Sequence, residues 1–227
     1  MRPAATRPRR QDGVIRRPGP HGTDTPGTLR AGADHCPRLG GPPVATGRHQ
    51  EPDVAAMTEL LAARGAAGIS HPGGTLLAHL QHVHALLAQW GARPAMQLAG
   101  LCHAFYGTDG FAAALGDSSR RDELAAVIGQ EAERLVYLYA SCDRRFSYPR
   151  LVESAGPFKD RFTGTVLHLP LALRRDFAEL TAANELDIAA ASPDFRARAG
   201  PGLLRLFTAW KNLLSGPAWQ SVQATLP

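Results

Sequence analysis

The sequence predicts an all-α protein with a disordered N-terminal tail, and two observations carry this prediction. Residues 1–56 contain nine prolines and eight glycines and show no hydrophobic period, so they have too little apolar surface to offset the entropy of ordering. From Met57 onward, apolar residues recur mostly at the spacing of amphipathic helices. We therefore expect a tail over 1–56 and a single helical domain over 57–227.

The excess of positive charge lies in the tail. The chain carries a formal charge of +5, and residues 1–56 hold nine basic and five acidic residues, or +4. A folded domain built to bind nucleic acid would carry its basic excess on a face of its own, so nucleic acid is not an expected partner. A second interpretation of the tail is an over-long gene start, with Met57 as the true first residue.

Cysteine usage and polarity indicate a cytoplasmic protein. The three cysteines are an odd number without C-x-x-C spacing, which argues against a disulfide framework or a thiolate zinc site. Between Arg64 and Asp109 the only formal charge is Arg93, but the histidines and glutamines there are too polar for lipid. We expect no membrane partner, and the sequence indicates no oligomeric state.

Glycine and proline mark the ends of the first helices. A short amphipathic helix is expected over 57–67, and a long one over 73–90 that Gly91 closes as a C-terminal cap. Pro94 suits the first turn of the next helix, which is expected to reach about residue 106.

The second half is expected to contain further helices and one β-hairpin. Ser118 or Ser119 could cap a helix, with Asp122 and Glu123 near its positive end, and Gly129 should break it. The remaining predicted elements are helices over 131–141, 171–190, 202–214 and 218–225, and hairpin strands within 162–169.

Three predicted helices each place one polar residue on their apolar side. On a helical wheel, His79 lies within an apolar stripe, and His103 lies in a helix that is apolar all round. Asn184 lies in the middle of a third apolar stripe, with Asp187 at its edge. Each buried polar group must find a partner or cost about 1–3 kcal/mol, so we expect these side chains to share one cavity.

These residues resemble a known pattern. His79, the string Leu101-Cys102-His103-Ala104 and Asn184 resemble the HD-domain superfamily of metal-dependent phosphohydrolases, in the branch of the stringent-response nucleotide hydrolases. The 24-residue spacing between the two histidines suits that branch. The resemblance implies an HD-like helical bundle and a divalent metal.

The departures from this pattern bear on the metal. Ala104 stands at the aspartate of the HD pair, and Asn184 aligns with the late aspartate. The acidic pair that positions water in the nucleotide hydrolases falls on Gly107 and Thr108. The anionic ligands of an oxygen-loving metal are therefore absent, which favours an enzyme without a cofactor.

A second resemblance is closer. Residues 71–80, the string from Leu98 to Thr108 and residues 180–186 are similar to a family of bacterial proteins known as a domain of unknown function. The likeness covers most of residues 60–190, and its most specific part is the His-x-x-Tyr-Gly-Thr string that begins at His103.

The first functional hypothesis is a small-molecule enzyme that works by metal-independent histidine acid–base chemistry. An imidazole can be tuned through neutral pH, so either His79 or His103 could act as acid or base. Tyr106 could donate to an oxyanion, and Asn184 could orient a histidine or a carbonyl. The candidate ligand-binding residues are His71, Thr75, Arg121 and Arg144.

Two alternatives stay open. In the first, a divalent metal such as Fe or Mn is held by His79, His103 and Asp187, giving a phosphohydrolase or an oxygenase. In the second, the protein is a non-catalytic descendant of the HD scaffold that binds a small-molecule ligand.

Overall fold

The computed structural model describes residues 54–227, which are mostly helical. The predicted helical character of the domain is therefore confirmed. No helix in this part of the chain is both long and apolar enough to cross a membrane. Of the predicted tail, residues 54–56 are described, and residues 1–53 lie outside the described part of the chain.

The described residues form nine α-helices and two small antiparallel hairpins. The helices are α1 (Val54–Ala63), α2 (Leu76–Gln89), α3 (Pro94–Cys102), α4 (Arg121–Ile128), α5 (Gln130–Ala140), α6 (Arg144–Ser147), α7 (Leu171–Ala191), α8 (Pro193–Ala209) and α9 (Gly216–Thr225). The strands are β1 (Ser70–His71), β2 (Gly74–Thr75), β3 (Pro157–Lys159) and β4 (Val166–His168), with β1 paired to β2 and β3 to β4.

Helix α7 lies at the centre of the fold. It contacts α2, α3, α5, α8 and α9, and it is buried on most of its circumference. Many of its inward positions are occupied by small side chains, which lets the neighbouring helices approach closely. The buried residues of α7 include Phe177, Leu180, Ala182, Ala183, Asn184, Glu185 and Ala189.

Helices α2 and α3 pack closely at Gly100. A Cβ atom added there would lie 2.5 Å from Leu87 Cδ1, so the contact requires a residue without a side chain. The predicted apolar stripe of α2 is buried and includes His79. Helix α3 is buried on nearly all sides, as its uniformly apolar sequence predicts, and His103 follows directly at its C-terminal cap.

The structure corrects the predicted bounds of these first helices. The helix predicted over 73–90 begins at Leu76, because residues 70–75 form the β1–β2 hairpin. Gly73 has a φ of +85° in that turn, a conformation that L side chains rarely adopt. Helix α3 ends at Cys102 instead of near residue 106, whereas Gly91, with a φ of +75°, follows α2 as predicted.

Two later predictions are also wrong in their bounds. Helix α8 begins at Pro193 instead of residue 202, and the Ser192 side chain caps it by accepting from the backbone N–H of Phe195. Helix α4 has no serine cap, since its N-cap residue is Arg120, whose side chain makes no capping bond.

Three further bounds can be compared with the sequence. The break at Gly129 is confirmed. The strand at Val166–His168 pairs with Pro157–Lys159, upstream of the predicted hairpin. Helix α1 begins at Val54, three residues before the predicted domain start.

Candidate functional site

Three polar side chains from α2, the end of α3 and α7 meet in the interior. His79 Nε2 lies 3.0 Å from Asn184 Oδ1 and 3.3 Å from His103 Nε2. The two imidazole rings are nearly perpendicular, with their centroids 5.1 Å apart. All three residues are buried. The structure thus brings together the three inward-pointing residues of the sequence, although 105 residues separate His79 from Asn184.

The orientation of His103 is set by its own helix. Its Nδ1 donates to the backbone carbonyl of Gly100 at 2.8 Å. Since a carbonyl oxygen can only accept, the ring proton is on Nδ1, and Nε2 presents a lone pair to His79. Burial, together with repulsion from a charged His79, lowers the pKa of His103 to about 3, so this imidazole is neutral at physiological pH.

The orientation of His79 is set by Asp187, one turn along α7 from Asn184. His79 Nδ1 donates to Asp187 Oδ2 at 2.7 Å, and the other carboxylate oxygen lies 3.3 Å from Nδ1 of the exposed His82. Asp187 therefore binds Nδ1 of His79, the ring nitrogen that faces away from His103, and so lies behind the ring. The alternative metal set of His79, His103 and Asp187 does not converge on one point.

The amide of Asn184 is fixed by its neighbour. Its Nδ2 donates to Glu185 Oε1 at 3.2 Å, which leaves Oδ1 facing His79. Glu185 is itself buried, and the same Oε1 accepts from Arg144 Nη1 at 3.3 Å. Burial raises the pKa of Glu185, and the positive charge of Arg144 opposes that rise.

These orientations place three acceptor atoms against one another. When both imidazoles are neutral, His79 Nε2 and His103 Nε2 carry lone pairs, and the carbonyl oxygen of Asn184 accepts only. No donor is then left between them. Buried polar atoms are normally paired, and either a second proton on His79 or a cation among the three atoms would pair these.

A cavity of about 200 Å³ lies beside this cluster. The ring of His71 stacks on that of His79 with centroids 4.1 Å apart, and its buried Nδ1 has no hydrogen-bond partner among the described residues. Burial and the electrostatic effect of the neighbouring His79 lower the pKa of His71 to about 4. The polar residues that line the cavity are His71, His103, Thr108, Arg144, Asn184 and Glu185.

Three candidate residues do not lie in this site. The hydroxyl of Tyr106 donates to Glu133 at 3.1 Å, and Arg121 binds both oxygens of the same carboxylate at 2.7 Å. Thr75 caps α2 by accepting from the backbone N–H of Ala78. None of the three lines the cavity, because each is engaged in supporting the fold.

Glu185 is a site residue that the sequence analysis missed. On a helical wheel this helix has one apolar stripe, whereas α7 is buried on several sides. The run of alanines around Glu185 is the signal that could have shown it, since small residues on both faces indicate helices packed on both faces.

Comparison with known proteins gives one match. A family described as a domain of unknown function (DUF6817) matches residues 60–144, which is less than half of the chain. The matched segment contains His71, His79 and His103, but it ends before α7, which carries Asn184, Glu185 and Asp187. The searches of curated proteins and of solved structures returned no significant match.

Proposed function

We propose that His79, His103 and Asn184 bind one divalent transition-metal ion, and that the domain is an enzyme acting on a small molecule in the adjoining cavity. The observation that carries this proposal is the convergence of three buried polar atoms that are all acceptors when both imidazoles are neutral. A cation resolves that conflict without requiring a charged imidazole in the protein interior.

The spacing of the donor atoms suits a metal ion. Two ligands of a tetrahedral ion with bonds of about 2.0–2.1 Å lie roughly 3.3 Å apart, and ligands in adjacent positions of an octahedral ion lie closer. The observed separations from His79 Nε2 are 3.3 Å to His103 Nε2 and 3.0 Å to Asn184 Oδ1. Among residues 54–227 no three His, Cys, Asp or Glu side chains form such a set, so the amide is essential to this proposal.

The partners behind the ligands also suit a metal. Metal-bound histidines almost always donate their other ring N–H to a carboxylate or a backbone carbonyl. His79 donates to Asp187, and His103 donates to the carbonyl of Gly100. Both Nε2 lone pairs are therefore aimed before any ion binds.

The donor set indicates which ions fit. Imidazole nitrogen suits Zn, Cu, Fe and Ni, and a carbonyl oxygen suits Mn, so the set fits a first-row transition ion as a class. Such an ion would supply Lewis-acid polarisation of a substrate oxygen or an activated water. His103 and Asn184 also line the cavity, so the bound molecule would meet the same residues that hold the ion.

The HD-like scaffold and the cytoplasmic location remain part of this proposal. The arrangement that supports an HD-like bundle is a histidine on α2, a second 24 residues later and a polar residue on α7. Because Ala104 stands at the position of the HD aspartate, the third metal ligand here would be Asn184. The described cysteines, Cys102 and Cys142, are both free and buried, which is compatible with a reducing compartment.

Cobalt titration of the chelator-treated protein tests the metal site. We expect one Co²⁺ per chain, with a visible absorption spectrum, in the wild type. His79→Ala and Asn184→Ala should each weaken binding by about a hundredfold or more, as loss of a ligand costs several kcal/mol, whereas His168→Ala on the exposed β4 should not. A wild type that binds no stoichiometric ion while remaining folded by circular dichroism would overturn the proposal.

A metal-free acid–base centre is the second candidate. The hydrogen bond between His79 and Asp187 favours it, because a carboxylate stabilises an imidazolium that could donate from Nε2 to Asn184. An NMR signal from a proton on His79 Nε2 at neutral pH, in protein that binds no Co²⁺, would select this candidate over the first.

A further inference from the structure

The cavity contains a partly buried guanidinium whose hydrogen-bonding capacity is only partly used. Arg144, at the start of α6, has a side chain that is 26% exposed and that lines the cavity. It donates to Glu185 Oε1 and to the Tyr139 hydroxyl, each at 3.3 Å. Charge-assisted bonds to a carboxylate are normally about 2.7–2.9 Å long, and a guanidinium has five donors. Arg144 is therefore held in place without being saturated.

The charge of the cavity wall indicates a monoanion. Among the described residues that line the cavity, Arg144 is the only Lys or Arg, and Glu185 is the only Asp or Glu. A ligand anion at Arg144 also lies near the Glu185 carboxylate. A phosphate carries about −1.5 to −2 charges near neutral pH, so in the metal-free cavity Glu185 would repel it more strongly than a carboxylate with a single charge.

The shape of a carboxylate also matches this group. A guanidinium is a planar fork that binds a planar carboxylate through two parallel hydrogen bonds. The aromatic rings of Tyr139 and Tyr148 lie 5.7 and 5.8 Å from the guanidinium carbon, which limits its rotation. A guanidinium held in this way loses little conformational entropy when it binds the carboxylate of a ligand in addition to that of Glu185.

The rest of the wall sets the size and polarity of the ligand. The cavity volume of about 200 Å³ is below the roughly 300–1,000 Å³ of most drug-sized sites, so the ligand has few heavy atoms. The apolar part of the wall consists of Leu76, Phe111, Ile188 and Phe195. Such a wall suits a short aliphatic chain or a single aromatic ring.

We propose that the cavity binds a small monocarboxylate, with the carboxylate on Arg144 and an apolar group against Phe111 and Ile188. This inference deepens the proposed function, because it assigns a ligand class to the same cavity. The ligand assignment can be wrong while the metal site is right, because Arg144 belongs to α6 and is not one of the three metal-binding residues.

Binding of benzoate to the full-length protein, measured by calorimetry in the presence of chelator, tests this inference. We expect saturable binding of benzoate, and binding of benzamide and of phenyl phosphate that is at least about tenfold weaker, since a charged hydrogen bond contributes about 1.5–3 kcal/mol. Phenyl phosphate binding as tightly as benzoate, or no benzoate binding at all, would overturn the monocarboxylate assignment.

Matched variants identify the group that binds. Arg144→Met should weaken benzoate binding by about tenfold or more, and the neighbouring exposed Arg145→Met should leave it unchanged. Because Arg144→Met leaves Glu185 without its cation, the double variant Arg144→Met/Glu185→Gln provides a second test in a neutral cavity. Unchanged affinity in the double variant would contradict the role of Arg144. Co²⁺ binding retained in the single variant Arg144→Met would show that the two sites fail independently.

Discussion

At the scale of single residues, the site depends on which nitrogen of each imidazole faces inward. His79 and His103 each use Nδ1 to bind an acceptor behind the ring, so both Nε2 atoms point at each other and at Asn184. Without these anchors, either ring could turn over and present a donor instead of a lone pair. The residues behind the ligands are thus as important to the chemistry as the ligands.

Replacing Asp187 tests this dependence. Asp187→Asn removes the carboxylate that orients His79, and we expect Co²⁺ affinity to fall by about 10- to 100-fold. The control is His82→Ala, which removes only the partly solvated contact to the other carboxylate oxygen. Equal Co²⁺ affinities of Asp187→Asn and the wild type in the same titration would show that the carboxylate does not position His79.

The two histidines with lowered pKa predict a pH-dependent stability. His103 and His71 have pKa values of about 3 and 4 in the folded protein, against about 6.5 in the unfolded chain. Between pH 6.5 and 4 the unfolded state binds more protons than the folded one. The contribution of these two histidines to the free energy of unfolding of the metal-free protein is therefore fully present above pH 6.5. It falls as the pH is lowered toward 4.

Urea unfolding at pH 7 and pH 5 measures this effect. The wild type should lose more stability between the two pH values than His103→Gln, whose side chain does not titrate in this range. The same loss in both proteins would mean that other groups cause the dependence.

At the scale of elements, the β1–β2 hairpin determines where His71 lies. This hairpin precedes α2 and turns at Gly73, so that the ring of His71 folds back onto His79. Gly73 also packs against the last residue of α7, where an added Cβ would lie 2.3 Å from Ala191 Cβ. One glycine therefore joins the hairpin to the helix that carries the other site residues.

Gly73→Ala tests this junction. The positive φ and the contact with Ala191 should together lower the free energy of unfolding by about 1–3 kcal/mol, as measured in urea. Gly68→Ala is the control, since nothing lies within 4 Å of a Cβ there, and it should change stability by less than about 0.5 kcal/mol. Similar effects of the two substitutions would contradict the packing argument.

At the scale of the whole molecule, α7 is both the helix on which the others pack and the source of several site residues. It contributes Asn184, Glu185 and Asp187 while it packs against five other helices. The segment that matches the domain of unknown function ends before this helix.

A fragment of residues 60–144 should therefore fail to fold. Without α7, the apolar faces of α2, α3 and α5 would lose the helix they share, and we expect a broad thermal transition and no Co²⁺ binding. A fragment of residues 54–227 should unfold cooperatively and bind Co²⁺ as the full chain does. A cooperative transition in the shorter fragment would show that α7 is dispensable for folding.

The sequence predicted the site as far as local periodicity reaches. A residue in an apolar stripe of a helix turns inward, and this placed His79 and Asn184 correctly among buried neighbours. The same reasoning missed Glu185, because a helix surrounded by neighbours has no single buried face. Tyr106 and Arg121 are candidates because of their chemistry, whereas Glu133, which no local pattern marks, binds both.

The sequence by itself determined the helical domain and the inward direction of its polar residues, because both follow from spacings of three and four residues along one helix. Only the tertiary structure decided that Asp187 lies behind His79 while Asn184 lies in front, and that Arg144 faces the cavity while Arg121 does not. These are distances between groups on different helices. They are set by how whole apolar faces pack together, which no short stretch of the chain contains.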